Sequence, residues 1–119
     1  MIERPDLVPL PALPAWTERA KATLMDSTMQ TNAMLDKLAT LSPEYEGQAE
    51  AWRALLSNAL ADAFQKTDAM VARRMAGDPD MDPHYDALAA AVRRVGEIMG
   101  AAADAATESA HAFMRRRRR

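Results

Sequence analysis

The feature of this sequence that most restricts its fold is a stripe in its last third. Tyr85, Leu88, Val92, Val95, Met99, Ala102, Ala106, Ser109 and Phe113 succeed one another at alternating spacings of three and four. Eight of the nine are apolar or aromatic, Ser109 being the exception. That period describes a helix with one apolar seam, and the seam has to be covered by other helices because it cannot remain in water. The stripe predicts a single uninterrupted helix over residues 83–114.

Two more helices are predicted upstream. Pro14 suits a first helical position, and Trp16, Ala20, Leu24, Met25, Met29, Leu35 and Leu38 mark the inner face of a helix over 14–41. Ser42-Pro43-Glu44 then restarts the chain: Ser42 as cap, Pro43 at the first helical position, and Glu44 and Glu46 at the positive dipole end. Tyr45, Ala49, Trp52, Leu56, Ala59, Ala63 and Met70 form the seam of the second helix, over 43–76, broadened by Leu55, Leu60, Phe64 and Val71. Arg73 and Arg74 suit its last turn, Gly77 the left-handed residue beyond it, and Pro79 prevents resumption. Asp82-Pro83 repeats the cap-then-proline device. The join at Pro43 is compatible with a sharp reversal, the expected arrangement, or with a kinked rod.

The 26 alanines and 4 glycines among 119 residues favour helices over a sheet. At 49% hydrophobic the chain can bury a core and is not disordered by composition. The expected fold is an all-α, elongated antiparallel three-helix bundle, single-domain and oligomeric. Residues 1–13 are expected to form an extended, proline-rich arm, because Pro5, Pro9, Pro11 and Pro14 favour polyproline II. Leu7, Val8, Leu10 and Leu13 make that arm too apolar for a solvated tail, so it is expected along a groove, the chain's own or a neighbour's.

With no cysteine, disulfides, thiol catalysis and Cys-ligated zinc are excluded. The N-terminus carries charges and prolines rather than an apolar run, which reads as neither signal nor transit peptide, and cytoplasmic residence is the default expectation. Glu108 and His111 have the Glu-x-x-His spacing of di-iron bundles, but there is no second copy of it, and both positions fall outside the seam. Asp78, Asp80, Asp82, His84 and Asp86 alternate like the opening of a calcium loop, yet Pro83 stands where the sharp turn needs Gly and Ala89 where the closing Glu belongs. A solvated turn is expected there, and a metal-binding bundle is the remotest reading. The two histidines are 27 positions apart and no phosphate-cradling glycine loop occurs, so neither catalysis nor a cofactor is expected. The methionines read as core filling.

Two features point toward binding. Each helix is uncharged in its middle, over Ser27–Leu35, Ala54–Ala61 and Ile98–Ala103. Antiparallel packing in register would stack these into an uncharged waist, and a solvated face normally carries Lys and Glu. Gly96 and Gly100 would let a backbone approach closely, inside the bundle or in a dimer. Met29, Met34, Gly96, Gly100, Leu7, Val8, Leu10 and Leu13 are accordingly the expected contacts to a second copy or a helical partner. The other feature is Arg115, Arg116, Arg117, Arg118 and Arg119. Without them, residues 1–114 hold 10 basic and 17 acidic groups, net −7. Guanidinium forks bind phosphate, so the run is a candidate tether to a polyanion. It has no base-reading element beside it, and nucleic-acid binding would be nonspecific. Such a run also arises as an appended tag, or as plain compensation of the helix dipole. The expected function is a non-enzymatic assembly protein, with a nucleic-acid-associated architectural or virion-assembly component as the alternative.

Overall fold

The structure, a computed structural model, describes residues 4–118. Three helices account for most of them: α1 (Leu13–Ala39), α2 (Pro43–Met75) and α3 (Asp82–Arg117). They form an up-down-up bundle measuring 64 × 21 × 17 Å. The chain reverses through Thr40–Ser42 rather than continuing as a kinked rod, because Leu35 and Leu38 of α1 pack against Tyr45 and Ala49 of α2.

Proline and glycine set the boundaries largely where their backbone chemistry requires. Pro43 opens α2, and the Ser42 carbonyl accepts the amides of Tyr45 and Glu46. Contrary to expectation, the Ser42 hydroxyl makes no capping bond; it is buried without a partner. At the other end Gly77 takes φ 76°, a conformation only glycine adopts without strain. Its N–H donates to the Arg74 carbonyl at 3.1 Å while that of Asp78 donates to Arg73, also at 3.1 Å, which closes the helix in a Schellman motif. Asp82 does not cap α3. It is the first helical residue, and the Met81 carbonyl accepts the His84 and Tyr85 amides. Helix α3 continues through Arg117, three residues past the expected end, since arginine is a good helix former and cations suit a helix C-terminus.

The expected arm is not extended throughout: its residues 1–3 lie outside the described residues, and in the rest only Arg4, Val8 and Pro9 keep extended backbone around two turns. Pro5–Leu7 and Leu10–Ala12 are short 3-10 turns, and the proline φ that suits polyproline II suits such a turn equally well. Val8 (2% exposed) lies in the bundle's own core, and the Arg74 guanidinium donates to the Pro5 carbonyl at 2.8 Å, which pins the segment to the end of α2.

Three clusters stack along the axis and fix the antiparallel register. The first joins Val8, Leu13, Trp16 and Ala20 to Met70 and Leu88. The second joins Leu24 to Leu56, Ala59, Ala63, Ala91 and Val95. The third joins Leu35 and Leu38 to Tyr45, Ala49, Ala102 and Ala106. Between Leu24 and Leu35, α1 contributes buried Thr28 and Thr31 rather than aliphatic residues. Their hydroxyls return hydrogen bonds to the Met25 carbonyl at 2.8 Å and the Ser27 carbonyl at 3.4 Å, which makes burial tolerable. Met25 and Met29, expected on the inner face of the first helix, are instead exposed, as is Leu55 on α2. Each sits about a quarter-turn or more off the buried line.

Adjacent leucines therefore differ sharply: Leu56 is 1% exposed and Leu55 45%. Leu56→Ala is expected to cost about 2–5 kcal/mol of stability, and Leu55→Ala no more than about 0.5 kcal/mol, as read from urea unfolding of both variants.

Candidate interaction surface

The register brings the three uncharged stretches to one level. Lys21 pairs with Asp68 at 2.7 Å above them, and Arg53 pairs with Asp36 below, so Ser27–Leu35 lies opposite Ala54–Ala61. On α3, the second cluster holds Ile98 and Met99 beside Leu56 and Ala59, and the third holds Ala102 beside Leu35. Ile98–Ala103 thus falls within the same band. Exposed ion pairs of this kind contribute about 0–1 kcal/mol each. Their consequence here is positional, since they bracket the band along the α1–α2 seam.

Within the band the surface is uncharged, with apolar side chains exposed beside the polar Gln30, Ser57 and Asn58. Met29 is 60% exposed, Leu55 45% and Met34 39%, with Met25 just above them. Gly100 lies in the band and Gly96 one turn before it; both are exposed, and a Cβ built on either meets nothing within 4 Å. Close packing inside the bundle therefore does not account for these two glycines. Asn32 adds a buried side-chain oxygen without a hydrogen-bond partner on the same stretch of α1.

The residues of the N-terminal segment separate. Leu7 and Leu10 stand exposed, whereas Val8 and Leu13 belong to the chain's own core and offer nothing to a partner. Beneath this segment a cleft of about 530 Å³ opens between α1 and α3, with Trp16, Leu24, Leu88 and Val92 in its walls and Arg93 and Asp86 among its lining. A second, of about 350 Å³, lies further along the same seam beside Met34, Leu41 and Ala110.

The arginine run is partly engaged. The Arg116 guanidinium donates to the Tyr45 hydroxyl and lies 5.8 Å from the centre of its ring. Arg117 lies 5.8 Å from the Phe113 ring, and Tyr45 and Phe113 meet edge to face at 6.2 Å. This clasp joins the last turn of α3 to the first of α2. The sequence held its signal in two seam aromatics at matching bundle ends, with Arg116 one turn beyond Phe113. Arg115, Arg116, Arg117 and Arg118 are all exposed, Arg115 and Arg118 without a ring contact, and Arg119 lies outside the described residues.

Among the described residues no three His, Asp or Glu side chains converge to hold a metal ion. Glu108 and His111 both face solvent. In the Asp-rich loop, an Asp78 carboxylate oxygen accepts the Asp80 amide at 2.9 Å, and Asp78 lies 3.8 Å from His84. No described helix is long and apolar enough to cross a membrane. Comparison with protein-family models, with curated proteins and with solved structures finds no match for the chain.

Because nothing crowds either glycine, Gly96→Ala and Gly100→Ala are each expected to raise stability by about 0.5–1 kcal/mol, the helix-propensity difference alone. Thermal unfolding monitored by circular dichroism measures it.

Proposed function

We propose that this protein is a non-enzymatic helical assembly protein that binds a second copy of itself or a helical partner through its waist, with the C-terminal arginines as an electrostatic tether. The observation that carries the reading is the coincidence of three uncharged stretches at one level of the bundle, with Met29, Met34 and Leu55 exposed in them. A band free of charge on all three helices lacks the Lys and Glu of an ordinary solvated face, and covering its exposed Met and Leu side chains removes apolar surface from water. Exposed Leu7 and Leu10 extend the apolar surface toward one end. Val8 and Leu13, being core residues, drop out of the proposed contact set.

The alternative, nonspecific nucleic-acid association through the arginine run, draws support from exposed Arg115 and Arg118. It is weakened by the engagement of Arg116 and Arg117 with the bundle's own aromatic rings.

Paired substitutions separate the two. Met29→Lys with Leu55→Lys is expected to weaken association by about tenfold or more, since a charge buried at a contact loses its solvation, as measured by light-scattering mass or partner titration. Removing Arg115 to Arg119 is expected to leave most of that association in place, because exposed ion pairs contribute only about 0–1 kcal/mol each. On the alternative reading, the removal abolishes a duplex-DNA shift whose log–log salt slope is about −4.5 for five phosphate contacts.

A further inference from the structure

The solvent-facing crest of α3, whose Asp82, Asp86, Arg93 and His111 also edge the two α1–α3 clefts, has its charges arranged in a particular order. Asp82, Asp86, Arg93, Gly96, Gly100, Asp104, His111 and Arg115 recur at spacings of three, four or seven, and every one is exposed. Among the described residues none of the six charged or titratable side chains in this row makes an ion pair or hydrogen bond within the chain. Reading outward from the point between Ile98 and Met99, Arg93 and Asp104 stand equally far on either side. So do Asp86 and His111, and so do Asp82 and Arg115. Each of the three pairs matches a carboxylate with a basic group, and the glycines lie on either side of the centre.

We propose that a second copy of this chain docks antiparallel along the α3 crest, its two-fold axis passing between Ile98 and Met99. The proposal rests on the assembly reading above and names the partner and the face. A two-fold antiparallel contact sets Arg93 against Asp104 of the second copy, Asp86 against His111 and Asp82 against Arg115, and symmetry repeats each pairing. In the same alignment Glu97 lies level with Gly100 of the second copy and Glu108 with Ala89; the two Glu97 side chains flank the two-fold about one turn apart, a like-charge pair that the matched pairs outnumber. A parallel, in-register contact would instead set every charge against itself. At the centre Gly96 and Gly100 present bare backbone with no atom within 4 Å of a built Cβ, which lets the two helices approach closely where they cross. Exposed ion pairs add little affinity, and their effect is to fix partner and orientation.

Charge exchange between copies tests this in the full chain, which has no cysteine to complicate it. At low ionic strength the wild-type chain is expected to show twice its 13.1 kDa mass by light scattering. Arg93→Asp and Asp104→Arg, both at exposed positions, are each expected to weaken association by at least about tenfold, because each sets two like-charge pairs across the two-fold. Circular dichroism verifies that each variant keeps its helices. An equimolar mixture of the two variant chains is expected to recover the dimer mass, since every pairing is then complementary again, and added salt is expected to weaken it. A dimer that persists in both single variants overturns the α3 crest while leaving assembly itself standing. Failure of the mixture to recover also overturns it. A wild-type chain that stays at monomer mass overturns self-docking, and the Met29 and Leu55 variants then decide the fate of assembly with a different partner.

Discussion

Everything in this fold depends on alanine at the places where helices meet. Ala20, Ala49, Ala59, Ala63, Ala91, Ala102 and Ala106 are all buried, and side chains this small let helix axes come together at the near end of their usual range. The result is a rod only 21 × 17 Å in cross-section. Close approach brings backbone against backbone, but each alanine removes little apolar area from water. Larger residues compensate at intervals, with Trp16 and Met70 in one cluster, Leu56 and Val95 in the next, and Leu35, Leu38 and Tyr45 in the third. Between the second and third clusters α1 offers only Thr28 and Thr31, and there the core is thinnest.

The same thinness shapes the surface. Where a helix has threonine inward and Ala, Ser, Gly or Met outward, its sequence loses both the aliphatic stripe and the charged stripe that usually oppose each other. At the waist the inward threonines are confined to α1, but the loss of charge occurs at this one level on all three helices, so the waist is a continuous band rather than a patch. The ion pairs Lys21–Asp68 and Arg53–Asp36 lie just outside it. Polar ties thus mark the limits of the band without entering it.

Much of this architecture is legible in the sequence because helix ends are written in residues with narrow backbone preferences. Pro43, Gly77 and Pro79 bound α2 within a residue, and the three-four period carries α3 without a break. The N-terminal segment departs from the expected arm because proline fixes φ but leaves ψ open, so the same residues serve a 3-10 turn or an extended chain. Ser42 and Asp82 have capping chemistry that backbone carbonyls already satisfy at their positions. The uncharged waist follows from charge spacing plus register, both of which are local. The solvent-facing position of Gly96 and Gly100 does not follow, since a glycine has no side chain to reveal which neighbour it faces. Nor does the contact of Tyr45 with Phe113 and Arg116, because Tyr45 stands far from both in sequence and meets them only once the bundle has closed.

That clasp has a counterpart at the opposite pole, where Val8 and Leu13 are sealed under the turn that Arg74 holds to Pro5. A simple helical rod loosens from its tips, because terminal turns have the fewest neighbours. This one is plugged at both tips by its bulkiest packing and is leanest at its equator. Local opening is therefore expected first along the middle of α1, and backbone amides near Thr28 are expected to exchange with solvent sooner than those beside Trp16 or Tyr45.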